Sequence, residues 1–246
     1  MTSTRRTATI AGWLFIVTIV ASIPAAFVFY GPVLNDATYI LGAGADIKVR
    51  MGAFLEIITA IANIGTAVVL YPIVKRQSQS LAIGYVAARV LESTVIVVGI
   101  ISLLSIVTLR QNFAGATGAD AVALATAGKS LVAFHDMSFL LGPGLVAGLG
   151  NGLMLGYLMY KSGLVPRGMA MLGLIGGPLV FASGIAVLFG LYEQTSAISA
   201  IATIPEFAWE LSLGIYLIVK GFRPSPITAP IPDIPPAERR TEPTPA

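Results

Sequence analysis

Six apolar runs of about 20 residues or more constrain this chain most: approximately 10–30, 51–73, 81–108, 131–160, 169–191 and 198–220. At ~1.5 Å of rise per residue, each run is long enough as a helix to cross a hydrocarbon layer ~30 Å thick. The sequence therefore predicts an all-α fold, an integral membrane bundle of six transmembrane helices. Composition points the same way, since 56% of residues are hydrophobic and 11% charged, against roughly 25% charged in a soluble domain. Soluble, disordered, collagenous and disulfide-stapled classes are thereby excluded. The absence of cysteine excludes thiolate metal sites, Fe–S clusters and cysteine nucleophiles. The single histidine, His135, excludes bis-histidine haem ligation and two-histidine metal motifs.

Polar punctuation separates the runs at Gly31-Pro32, Lys75-Arg76-Gln77-Ser78, Gly115 to Gly128, Lys161-Ser162-Gly163 and Glu193-Gln194-Thr195. Arg5 and Arg6 before an apolar run resemble a secretory signal, but the apolar stretch continues to Tyr30, which favours a retained helix. With both termini on one side, that side carries Arg5, Arg6, Lys75, Arg76, Lys161, Arg167, Lys220, Arg223, Arg239 and Arg240. The other side carries Lys48, Arg50, Arg110 and Lys129. This asymmetry places both termini in the cytoplasm. Residues 1–223 form the transmembrane domain. Residues 224–246 hold eight of the fifteen prolines and read as a disordered cytoplasmic tail. The alanine-rich stretch Ala119 to Ala127 reads as a short surface helix. No basic patch with interleaved aromatics suggests nucleic acid, and the residues imply no cofactor.

An ionised side chain at the centre of a bilayer helix costs ~2.5–3.5 kcal/mol even on the lenient insertion scale, so intramembrane ionisable residues mark candidate sites. Here they are Glu56 in the second span, Arg89 and Glu92 in the third, His135 and Asp136 in the fourth, and Glu206 and Glu210 in the sixth. Lipid exposure of the six charged groups would cost on the order of 18 kcal/mol, more than ordinary folding stability, so they face inward, pair or are neutralised. Glu206 and Glu210 share one side of a helix; Arg89 and Glu92 are three apart, with Tyr85 one turn before. Glu56, Thr59, Asn63 and Thr66 form a polar stripe. Estimated depths allow all seven groups to converge in the outer half of the bundle. Five carboxyls against one arginine cannot all be ionised there; either several hold protons or a cation sits among them. The structural alternative is that Arg89–Glu92 is a plain ion pair and that Glu56 and Asp136 reach the headgroups.

The fourth span has two further features. Gly144, Gly148, Gly152 and Gly156 form a stripe that lets another helix approach closely. Gly142-Pro143-Gly144 predicts a kink or break of the kind that lines binding sites in transporters. Pro205 and Gly176-Gly177-Pro178 are further kink candidates.

Several stretches resemble one family: Phe134-His135-Asp136-Met137, the Gly142-Pro143-Gly144 break, Gly156-Tyr157-Leu158-Met159-Tyr160, Leu164-Val165-Pro166-Arg167, Leu172 to Pro178, Pro205-Glu206-Phe207-Ala208-Trp209-Glu210 and Lys220-Gly221-Phe222. Over approximately residues 8–223 the chain resembles the bacterial multi-pass membrane family catalogued as domain of unknown function 4386. The resemblance implies a multi-pass protein of the bacterial inner membrane and supplies no activity. Three functional classes follow from the residues. The first is a proton- or cation-linked carrier or binding protein for a small solute or ion, with a homodimer through the glycine stripe supplying symmetry. The second is an intramembrane enzyme on a lipid-like substrate, using a metal held by His135, Glu206 and Glu210, or His135 with Asp136 and Ser138. The third is a structural or signalling subunit.

Overall fold

A computed structural model describes residues 3–229 except Ala37 and Ala43. The tail expected to be disordered lies outside the described residues from 230 onward. Every extended segment described is helical, as it must be where lipid offers no partner for a free peptide group. The helices are α1 (Ser3–Pro24, continued by a π turn Ala25–Phe29), α2 (Gly31–Asn35), α3 (Asp46–Val74), α4 (Gln79–Asn112), α5 (Gly118–Phe139), α6 (Gly156–Ser162), α7 (Arg167–Leu188) and α8 (Ala197–Val219). Six helical stretches are long and apolar enough to cross a membrane, with α5, the intervening turns and α6 together making one. Lipid-facing side chains such as Phe27, Ile61, Ile101 and Ile201 are exposed and apolar.

The packing order closes a ring: α1 lies on α3, α3 on α4, α4 on the α5–α6 helix, that helix on α7, α7 on α8, and α8 back on α1. Both ends of the transmembrane domain lie at one end of the ring. Arg5 donates to the carbonyls of Leu217 and Ile218 at 3.1 and 2.7 Å. The loop after α6 joins the same end, where the Arg223 amide donates to Leu164 O and Ser225 Oγ to Ser162 O. We call this the terminal end and the opposite one the far end. The first helix is an integral wall: Ala8, Ala11 and Phe15 are fully buried, and Gly12 leaves no room for a Cβ beside Gly214 O.

The fourth crossing departs from expectation in two ways. Its helix begins at Gly118, so Ala119 to Ala127 is the first part of α5 and not a separate surface helix. Gly128 does not interrupt the helix, because its missing side chain makes room for Ile40. The Gly142-Pro143-Gly144 segment neither breaks nor ends the helix. Leu140–Val146 and Gly148–Leu155 instead form wide π turns that pass into α6. A π turn absorbs the missing proline N–H while keeping the chain helical. The other two candidates leave α7 and α8 unbroken through Pro178 and Pro205.

The glycine stripe faces α7 of the same chain and is therefore not free to form a dimer. A Cβ on Gly148 would lie 2.6 Å from Gly177 O, one on Gly152 would lie 2.7 Å from Gly177 N, and one on Gly156 would lie 3.2 Å from Leu174 N. Gly144 points along its own helix, and Gly142 meets Val95. The α7 glycines serve a second contact, since a Cβ on Gly176 would strike the α8 backbone at Pro205 and Glu206. Three helices thus approach to backbone distance around Glu206.

Candidate functional site

The centre of the ring is polar, and four crossings contribute to it. Arg89 on α4 is 1% exposed. Its Nη1 donates to Glu92 Oε2 at 2.8 Å, and its Nη2 donates to Asn63 Oδ1 on α3 at 2.6 Å. The Asn63 amide closes the triangle by donating to Glu92 Oε1 at 3.1 Å. The same guanidinium stands 3.9 Å from Glu210 Oε1 on α8. Below the triangle Thr66 and Tyr85 share a hydrogen bond of 3.1 Å. Ser93 caps it with bonds to the carbonyls of Arg89 and Ala60.

On the other side of Arg89 the π turn presents Asn151. Its Nδ2 donates to Glu210 Oε1 at 2.5 Å and lies 3.5 Å from Glu206 Oε1. The Asn151 carbonyl in turn accepts from the indole of buried Trp209 at 3.1 Å. The i,i+4 spacing of Glu206 and Glu210 sends both carboxyls to this amide. Glu206 is wedged against Gly152 and Gly176, where only glycine leaves room. Three buried side-chain atoms in this cluster have no hydrogen-bond partner: Arg89 Nε, Asn151 Oδ1 and Glu206 Oε2. Three carboxyls thus share one guanidinium, which Glu92 already engages directly.

The seven expected site residues do not converge. Arg89, Glu92, Glu206 and Glu210 meet, whereas Glu56, His135 and Asp136 form a second group nearer the far end. The reason lies in helix register. Asn63, not Glu56, reaches Glu92, and the seven residues between them amount to ~10 Å along α3. Glu56 is 8% exposed and accepts from Tyr30 OH at 2.8 Å. His135, 6% exposed, packs edge-on against the Tyr30 ring with centroids 5.7 Å apart. Asp136, 100° round the helix, keeps 53% of its side chain exposed, with Oδ1 3.4 Å from His135 Nδ1.

The enzyme constellations are likewise not assembled. His135 precedes Asn151 by sixteen residues, about 20 Å along the helix, so it cannot share a metal with Glu206 and Glu210. No group of three or more His, Asp or Glu among the described residues is arranged to hold a metal ion. Ser138 donates to the His135 carbonyl at 2.7 Å and not to its ring.

Asn151 escaped the sequence reading because its signal is small: one amide among glycines that already had a packing explanation. Asn63 and Tyr85 stood on the polar faces singled out in the second and third spans. Tyr30 counted only as the end of the first run.

A cleft of about 290 Å3 opens at the far end, walled by residues including Val33, Tyr39, Ile106, Lys129 and Asp136. Asp36 on its rim accepts from the Thr38 hydroxyl at 2.7 Å and the Thr38 amide at 2.8 Å, which hold its carboxyl below the ordinary range. Burial, and a hydrogen bond to Asp46, push the Tyr39 phenol up. Arg110 fastens the loop by donating from Nε to Asp46 Oδ1 at 2.9 Å, with a further contact to Asp46 Oδ2.

A family model described as Domain of unknown function (DUF4386) matches residues 10–221. The chain belongs to this family. No curated protein matches it, nor does any solved structure. As the family's description says, membership brings no activity with it.

Proposed function

We propose that this is a proton-linked carrier or binding protein for a small solute, set in a bacterial plasma membrane with both termini in the cytoplasm. The observation that carries the reading is Glu206, whose Oε2 is buried without a partner beside Glu210 on the same helix face. Arg89 balances one carboxylate, and Glu92 is the nearer claimant at 2.8 Å. An unbalanced carboxylate in a medium of low dielectric is costly enough that the group takes up a proton instead. Protons fit the surroundings better than a metal, because Asn151 and Arg89 aim hydrogen-bond donors at these carboxyls and no three acids or histidines among the described residues are arranged to hold an ion. A simple ion pair uses one acid for one arginine, and here Arg89 has Glu92 at 2.8 Å and Glu210 at 3.9 Å, with Glu206 beside them. The glycine-lined contact of α5–α6, α7 and α8 around Glu206 offers a surface along which helices slide when the proton load changes.

Thermal unfolding of the purified protein across pH tests this. A folded state that holds one proton more than the unfolded state loses about 1.4 kcal/mol of stability per pH unit as pH rises. The parent should lose melting temperature on going alkaline. Glu206→Gln, which keeps the neutral shape, should flatten that dependence. Identical pH profiles for the two would overturn the proposal. So would stabilisation by a divalent cation that Glu206→Gln abolishes, since the site would then hold a metal.

A further inference from the structure

The second polar group, Glu56, Tyr30, His135 and Asp136, has no place in the inner cluster, yet it joins the far-end cleft to the polar stripe of α3. We propose that it is the proton entry of the protein, with Asp136 collecting from the cleft, His135 passing the proton inward and Glu56 receiving it. The inference rests on the proton-linked reading of the inner cluster and adds the side and route by which that cluster is loaded.

Asp136 is the exposed member and lines the cleft, so it exchanges with water directly. Its Oδ1 is 3.4 Å from Nδ1 of the buried imidazole, which is hydrogen-bond range for a small side-chain movement. A ring that gains a proton at Nδ1 and releases the one on its other nitrogen moves one positive charge inward. The released proton ends on the Glu56 carboxylate, and the ring is left neutral in its other tautomer; return of the tautomer completes the cycle. Glu56 keeps one oxygen on Tyr30 OH at 2.8 Å, which fixes the carboxyl and leaves Oε1 for the proton. Tyr30 joins it to His135, whose ring packs edge-on against the Tyr30 ring, while Thr59 and Asn63 continue the same face of α3 toward Glu92.

The charged and titratable groups around His135 are few. Its own helix supplies Asp136, α3 supplies Glu56, and the turn after α1 supplies Tyr30. The third crossing presents Gly99, where a Cβ would stand 3.4 Å from the imidazole Cδ2. Asp36 and Lys129 stand farther out, on the cleft. The closest approach of such a Cβ is to Ser138 Oγ, and the acids on either side of the ring suit a group that becomes transiently positive.

Stopped-flow pH jumps on unbuffered protein, read with an indicator dye, test the route. The signal is the proton uptake that Glu206→Gln removes. Asp136→Asn, at an exposed position unable to compromise folding through burial, should slow that phase at least tenfold and leave its amplitude intact. His135→Gln should do the same, and Lys129→Gln, on the same cleft but outside the route, should not. Uptake by Asp136→Asn at the parent rate would overturn the entry route while leaving the inner site standing. Full uptake by Glu206→Gln would overturn the inner site itself, and the route with it.

Discussion

Arg89 is enclosed to 1% exposure yet spends its donors on Glu92, Asn63 and, more distantly, Glu210. Removing one partner from a buried ion pair strands the other, at a cost of about 3–5 kcal/mol. Arg89→Leu should therefore destabilise the protein by that amount in a denaturant titration. The double variant Arg89→Leu with Glu92→Leu should regain most of it. A single variant as stable as the parent would show that the triangle contributes little. That these residues matter was legible from sequence, because a charge inside an apolar run needs a reason wherever its helix sits. Which of them meet was not, because a contact depends on relative helix register. Two turns along α3 decide between Glu56 and Asn63 as the partner of Glu92, and no single span contains that information.

At the scale of elements, the six spans could be read directly, since the bilayer demands a long apolar run for each crossing. The α5–α6 helix was harder. Glycine and proline at 142–144 announce irregularity, but whether the chain breaks or widens into π turns depends on the neighbour it packs against. Here that neighbour is α7, with its own glycines. Gly177→Ala would put a Cβ 2.6 Å from Leu153 N, and overpacking of this kind costs about 1–3 kcal/mol. Gly168→Ala, in the first turn of the same helix with nothing within 4 Å, should be neutral or stabilising by up to about 1 kcal/mol. Melting temperatures of the two variants make the comparison. Equal behaviour would show that the glycine-to-glycine contact does not hold α7 in place.

For the whole molecule, the ring brings the described ends of the chain together, and the basic residues there, among them Arg5, Arg76, Arg167 and Arg223, outnumber those at the far end. This bias predicts cytoplasmic termini, and a chain without cysteine is well suited to the check. In intact cells a membrane-impermeant maleimide should label Asp120→Cys, at the far end, and reach Gln79→Cys only after the membrane is opened. The reverse pattern would invert the topology, and with it the side on which the far-end cleft opens. The group enclosed by the ring is decisive: proton linkage requires the Glu206 carboxyl to hold and exchange a proton. Infrared difference spectra between acid and alkaline pH read this directly, through the C=O stretch of a protonated carboxyl. The parent should show a buried carboxyl band that disappears at alkaline pH, and Glu206→Gln should lack it. A band unchanged by Glu206→Gln, or a Glu206 ionised at every pH at which the protein is folded, would contradict the account.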